Sequence, residues 1–214
     1  ITIGEVDGLI INGLKFDNTD KDAIDLNGAV QGVMITNNNI NIVGNGDTDY
    51  LYAINLMSWG ALTHPDNIVI YFNNITMDMS AGAMAEAIYL DSPTNAFVKY
   101  NNVTVITHGD VFAYRIQVAD SAQYVYYEEG YLGNITSPHD IFISENTFNL
   151  YSEYMVYGIT VLSFGADGYD EEYLDFDFYM PHCYAFELNT EISNNTVNAL
   201  STKGLIGIAG QIYD

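Results

Sequence analysis

An eight-residue pattern recurs six times along this chain of 214 residues, and it constrains the fold more than any other feature. An asparagine stands fourth in the pattern, and positions one, six and eight are apolar, as in VKYNNVTV at 98–105. Such alternation predicts a short β-strand, in which asparagine is normally depleted. Aligning the copies places six asparagines in one column: Asn12, Asn38, Asn73, Asn101, Asn146 and Asn195.

A second strand motif follows each copy at a nearly constant distance. It reads AIDL, AINL, AIYL, AYRI, GITV and LIGI, starting at residues 23, 53, 87, 113, 158 and 205. AGAMAEAI at 81–88 is the one stretch with the composition of a helical turn. Short strands that repeat at this period, joined by turn-rich segments, are typical of a parallel β-solenoid. We therefore predict a single all-β domain over residues 1–214, with about six to seven rungs.

The aligned asparagines are predicted to be structural. A solenoid turns a corner once per rung, and asparagine adopts the left-handed backbone region more readily than any residue except glycine. Stacked from rung to rung, an inward amide can both donate and accept hydrogen bonds. We expect these side chains to point inward and to form an asparagine ladder, with no catalytic role.

The motifs AIYL and VKYNNVTV, separated by a polar turn, resemble the parallel β-helix repeats of pectin-lyase-like folds. They are most similar to the Asn-rich repeats of archaeal adhesin-like surface proteins, notably those of methanogens. The resemblance extends from residue 9 to about residue 210. It implies a right-handed parallel β-helix, in keeping with the general preference for right-handed parallel crossovers. It also implies secretion, cell-surface display and a longer parent chain, of which this sequence would be an excerpt.

The resemblance implies a non-catalytic role, as an adhesin module, a stalk or an extracellular structural domain. Two alternatives remain open: a polysaccharide lyase or glycoside hydrolase of the same fold, and a self-assembling filament subunit. DNTDKDAID at 17–25 superficially resembles a polygalacturonase segment, but the Asp-Asp, Gly-His-Gly and Arg-Ile-Lys motifs of that family are missing. Asp175 and Asp177 could supply the two carboxylates of an inverting glycosidase, although a chain with 28 acids contains such pairs by chance. We predict that the protein is not an enzyme.

The charge balance limits the partners. A net charge of −23 is the opposite of the basic footprint that nucleic-acid binding requires. The chain has no apolar run of about 18 residues, so we expect no membrane insertion in this segment. The remaining partners are a cell-surface glycan or protein, neighbouring repeats, or further copies of the chain.

Two predicted insertions, near 119–140 and 163–184, are rich in tyrosine and acidic residues. Tyrosine offers rigid amphipathic contact area, which suits ligand recognition, although the same rings could pack over a sheet instead. The candidate ligand-binding residues in the insertions are Tyr126, Tyr127, Tyr131, Tyr169, Tyr173 and Tyr179.

No metal ligands or cofactors are predicted. Calcium remains possible at the acidic segment 167–177, whose spacing is not that of an EF-hand. The four histidines are scattered, without the spacing of a metal site. Four N-x-[ST] sequons are candidate glycosylation sites, at Asn74, Asn102, Asn134 and Asn194.

Overall fold

A computed structural model describes ten ranges of the chain: 1–19, 21–44, 50–57, 65–79, 84–91, 93–107, 113–119, 139–153, 155–164 and 189–213. These residues form three parallel β-sheets and contain no helix. The all-β prediction is confirmed, and the parallel sheets are consistent with a β-solenoid.

The three sheets, here named A, B and C, have the following strands in the described part of the chain. Sheet A contains β1 (Thr2–Ile3), β5 (Ile24–Asn27), β9 (Tyr50–Met57), β12 (Met84–Asp91), β15 (Ala113–Ala119), β18 (Met155–Phe164) and β21 (Gly204–Tyr213). Sheet B contains β2 (Val6–Asp7), β3 (Ile10–Asn12), β6 (Val30–Gln31), β7 (Met34–Thr36), β10 (Asp66–Tyr71), β13 (Thr94–Lys99), β16 (His139–Ser144) and β19 (Thr190–Ser193). Sheet C contains β4 (Lys15–Thr19), β8 (Asn39–Val43), β11 (Asn74–Met79), β14 (Asn102–Thr107), β17 (Thr147–Ser152) and β20 (Thr196–Ser201).

The chain visits sheets A, B and C in turn, and we call each passage a circuit. Circuits 1 to 6 begin at β1, β5, β9, β12, β15 and β18, and β21 begins a seventh. Each strand pairs in parallel with its equivalent in the next circuit, as β12 does with β9 and β15. The six second-strand motifs all lie in sheet A, and the eight-residue pattern spans the corner between sheets B and C.

The core is made of columns of similar side chains, because parallel pairing without a register shift places equivalent residues on top of one another. In sheet A, Leu26, Leu56 and Leu90 are in register and fully buried. Sheets B and C contribute equivalent buried columns, which include Ile35, Ile70, Val98, Ile143, Ile40, Ile75, Val103 and Phe148. Stacking of branched apolar residues in this way buries most of the apolar face of each strand.

The prediction of a possible helical turn at 81–88 is wrong for residues 84–88, which belong to strand β12, and residues 81–83 lie outside the described residues. Ala85 and Ala87 are fully buried there, flanked in the same strand by Glu86 and Ile88. The helix propensity of alanine is weak compared with the burial gained by pairing with both neighbouring strands.

The two predicted insertions fall at the same type of connection. β15 ends at Ala119 in sheet A and β16 begins at His139 in sheet B, while β18 ends at Phe164 and β19 begins at Thr190. Both insertions therefore connect sheet A to sheet B, in consecutive circuits. Segments 120–138 and 165–188 themselves lie outside the described residues.

Candidate ligand-binding surfaces

A column of asparagine side chains runs along the corner between sheets B and C. The Oδ1 atom of Asn101 accepts hydrogen bonds from both the backbone N and the Nδ2 of Asn73, each at 3.0 Å. Its own Nδ2 donates to the Ile70 carbonyl at 2.8 Å and to Asn146 Oδ1 at 3.0 Å. The same bonds link the whole column, which consists of Asn38, Asn73, Asn101, Asn146 and Asn195. The first four of these are 1–2% exposed, so the ladder satisfies polar groups that water cannot reach.

Asn12 is not part of this ladder, and its alignment with the other five asparagines is wrong. The register pairs Ile10 with Met34 and Lys15 with Asn39, which places Leu14 beside Asn38. The backbone N of Leu14 donates to Asn38 Oδ1 at 3.0 Å. Asn12 lies two residues before Leu14 and is exposed. Its Oδ1 accepts hydrogen bonds from the side chains of Thr36 and Asn37 in the second circuit.

The left-handed residue at the corner is the one before the ladder asparagine, not the asparagine itself. Five residues occupy this position with φ between 53° and 59°: Asn37, Phe72, Tyr100, Glu145 and Asn194. Gly13, with φ 70°, occupies the same register in the first circuit. Our expectation that asparagine's backbone tolerance explains the ladder is therefore corrected: the ladder uses the amide, and the backbone strain falls on its neighbour.

Three aromatic residues, which we call the aromatic corner, cluster at this edge: Tyr71, Phe72 and Tyr100. The Phe72 and Tyr100 rings stack with centroids 4.9 Å apart and an interplanar angle of 6°. Tyr71 lies edge-on to both, at 6.1 and 6.4 Å. Phe72 is 54% exposed and Tyr100 is 42% exposed. The Tyr100 hydroxyl donates to Glu145 Oε1 at 3.2 Å, and this bond raises the pKa of Tyr100.

Reasoning from the sequence missed the aromatic corner because Phe72 and Tyr100 occupy an unspecified position of the repeat. The available signal was a bulky aromatic side chain directly before an aligned asparagine, where the copies at Asn38, Asn146 and Asn195 have a polar residue. An exposed aromatic cluster is typical of a recognition surface.

The candidate glycosylation sites that the structure describes lie on its surface. Asn74 and Asn102 are exposed at the start of β11 and β14, and Asn194 is exposed at the corner. Asn102 Nδ2 donates to Asn74 Oδ1 at 2.9 Å, and Asn74 Nδ2 donates to Asn39 Oδ1 at 3.1 Å. Glycosylation itself stays a prediction, and Asn134 is outside the described residues.

The predicted ligand-binding tyrosines are also outside the described residues; they are Tyr126, Tyr127, Tyr131, Tyr169, Tyr173 and Tyr179. The acidic segment 167–177, considered for calcium, is outside as well. Within the described ranges, no group of three or more His, Cys, Asp and Glu residues is arranged to hold a metal ion. In the same part of the chain, we find no helix with the length and apolarity to cross a membrane.

A second cluster of polar residues lies on sheet A. The backbone N of Tyr52 donates to Asp22 Oδ1 at 2.7 Å, and Asn55 Nδ2 donates to Asp25 Oδ1 at 3.0 Å. The Tyr52 and Tyr89 rings are 5.6 Å apart. Burial is the main cause that raises the pKa of Asp22 and the pKa of both tyrosines, and nearby carboxylates add to it.

Comparison with known proteins gives no closer identification, since no family model, curated protein or solved structure matches the chain. The class that the fold and the site define is an all-β protein of three parallel sheets, with hydrogen-bonded asparagine side chains between circuits.

Proposed function

We propose that this chain is a right-handed parallel β-helix that serves as a non-catalytic binding module of an extracellular, cell-surface adhesin. The cyclic order of the three parallel sheets and the asparagine ladder support the β-helix. Its ligand is a cell-surface glycan or protein, and the strongly negative net charge favours neutral or cationic ligands.

The observation that carries this proposal is the aromatic corner. Left-handed backbone costs a residue other than glycine about 1–2 kcal/mol. A stacked aromatic pair contributes about 0.5–1.5 kcal/mol beyond burial, which roughly offsets the cost at one of the two positions. The second and sixth circuits have asparagine at the same position, which suits this backbone better. Folding alone therefore does not account for Phe72 and Tyr100, whereas recognition by exposed rings does.

The experiment uses the double variant Phe72→Asn, Tyr100→Asn, which adopts the residue of the second and sixth circuits and so suits the backbone. Binding of the wild type and the variant to a printed glycan array and to immobilised extracellular-matrix proteins would be compared. We expect the wild type to bind a component of these panels and the variant to lose at least about tenfold in affinity, as for a central aromatic contact.

The matched control is Ile10→Asn, which removes an apolar side chain that is 67% exposed on sheet B, away from the aromatic corner. This variant should bind as the wild type does. Equal binding by the double variant and the wild type would contradict the proposal. Release of reducing or unsaturated sugar ends from a bound polysaccharide would instead favour a polysaccharide-acting enzyme.

A further inference from the structure

The outer face of sheet C carries two straight rows of uncharged polar side chains. From the second to the sixth circuit, the first row is Asn39, Asn74, Asn102, Thr147 and Thr196. The second row, two residues further along each strand, is Asn41, Thr76, Thr104, Asn149 and Asn198. All ten positions are asparagine or threonine, in a chain whose net charge is −23. Acidic side chains directly opposite one another on neighbouring strands would repel, which explains why these two rows contain no acids.

Next to the second row lies an apolar row in the fourth to sixth circuits, formed by Ile106, Tyr151 and Leu200. Leu200 is 61% exposed. A polar residue at this position would cost less free energy in contact with water. Between this row and the polar side chains of Thr104, Asn149 and Asn198 runs a shallow groove of about 360 Å³. The groove crosses three successive strands, so it is directed along the stack of circuits.

The groove therefore repeats one contact set per circuit: an amide or hydroxyl on one side and an apolar side chain on the other. Successive strands are about 4.8 Å apart. A ligand that fits must be linear, must present a polar edge and an apolar face in each unit, and must advance by nearly this distance per unit. A chain of pyranose rings has these properties, since each ring has a hydroxyl-bearing edge and a C–H face. A ligand site that is largely apolar with a few placed polar groups is also the usual kind.

Other linear polymers fit less well. In an extended peptide, side chains on one face recur every two residues, about 6.6 Å apart, which does not match the strand spacing. A peptide strand would add to a sheet edge rather than to a sheet face. Polyanions, including nucleic acids and polyuronates, are repelled by the net charge.

From this geometry, we infer that the groove on sheet C binds a neutral, linear polysaccharide, with about three sugar units along the fourth to sixth circuits. This inference deepens the proposed adhesin function and rests on it for the extracellular setting. It places a polysaccharide site on a different surface from the aromatic corner, which lies at the edge between sheets B and C.

The test is affinity electrophoresis of the whole chain in gels that contain hydroxyethyl cellulose, amylose or polygalacturonate. The wild type should be retarded by at least one of the two neutral polymers and not by the polyanion. Asn149→Glu places a longer, charged side chain in the centre of the groove, and Leu200→Asn removes an exposed apolar contact. Each variant should raise the dissociation constant about fivefold or more, the equivalent of one lost hydrogen bond.

Matched controls come from the same rows in the second circuit. Asn41→Glu and Val43→Asn make the same kinds of change outside the groove, and both should be retarded as the wild type is. Circular dichroism melts of all four variants would identify any loss of folding. No retardation by either neutral polymer, retardation by polygalacturonate alone, or equal effects of the groove and control variants would each overturn the inference.

This outcome is separable from that of the proposed function. If the double variant of the aromatic corner loses its ligand while the wild type is not retarded in any gel, only the polysaccharide groove is wrong. If retardation depends on Asn149 and Leu200 while the double variant binds normally, the groove stands and the aromatic corner is not the adhesive site.

Discussion

Removal of one ladder amide should destabilise the protein far more than removal of its exposed neighbour. Asn101→Ala deletes four side-chain hydrogen bonds, two accepted from Asn73 and two donated, to the Ile70 carbonyl and to Asn146. The site is 1% exposed, so water cannot replace them. The matched control is Asn102→Ala, whose side chain is exposed and donates one hydrogen bond, to Asn74.

The magnitude follows from the donors left behind. In Asn101→Ala, the backbone N–H of Asn73 and one hydrogen of its Nδ2 lose their acceptor. Each buried polar group without a partner costs about 1–3 kcal/mol, so the expected loss in the free energy of unfolding is about 2–6 kcal/mol. For the exposed Asn102, water restores the lost bond, and the expected loss is below about 1 kcal/mol.

The assay is urea unfolding followed by circular dichroism, with the slope compared between variants so that a change in the unfolded state is detected. Because stacked repeats can unfold in parts, hydrogen exchange at the corner amides would show whether the loss is local or global. An Asn101→Ala variant no less stable than Asn102→Ala would refute the argument that the ladder satisfies buried groups.

Three further changes test the core and the cluster on sheet A. Phe148→Ala, at a fully buried position in sheet C, should cost about 3–5 kcal/mol in urea unfolding, because the column cannot close around the cavity. Burial raises the pKa of Asp22, so this carboxyl favours folding below its ordinary pKa and loses that contribution as pH rises through the folded value. Asp22→Asn retains an oxygen that can accept the hydrogen bond from the Tyr52 backbone N. The melting temperature of this variant should exceed that of the wild type at pH 7 and match it at pH 3. A difference confined to pH 3 would contradict the predicted direction of the pH dependence. Burial likewise raises the pKa of Tyr89, so the protein loses stability as pH rises above 10. Tyr89→Phe should therefore move the midpoint of alkaline unfolding, followed by tyrosinate absorbance, to higher pH. An unchanged midpoint would contradict this prediction.

The repeat was readable from the sequence wherever the apolar pattern is unambiguous. Asn73 and Asn101 could be placed beside each other because a parallel stack without register shifts converts sequence period directly into contact. The first circuit has two possible registers: the full pattern fits residues 9–16, and a register two residues later has Leu14 in place of the asparagine and Asn18 in place of the last apolar residue. Only the pairing of β3 and β4 with the second circuit decides between them.

Local sequence propensity gave a wrong prediction at β12 and no prediction for the aromatic corner. The alanines of β12 suggested a helical turn, but a strand between two others gains more from pairing than alanine gains from a helix. The aromatic corner could not be read from the repeat, because the pattern leaves the residue before each asparagine unspecified. A left-handed backbone at that position depends on the path of the chain between two sheets, which no short window of sequence contains.

At the corner between sheets B and C, the ladder asparagines and the residues directly before them have different roles. The ladder amides bridge one circuit to the next inside the corner, and the left-handed residues before them add contacts between circuits on its outside, such as the Phe72–Tyr100 stack and the Tyr100–Glu145 hydrogen bond. Because the ladder holds the corner with several hydrogen bonds per circuit, of about 1 kcal/mol each, it offsets the strain of about 1–2 kcal/mol in the residue beside it. That residue can therefore vary between circuits, and it does: this one position is occupied by Gly13, Asn37, Phe72, Tyr100, Glu145 and Asn194, with asparagine in two of the six circuits. The interior can thus stay repetitive while the exposed corner residue varies, an arrangement that the proposed binding function would use to match different ligands.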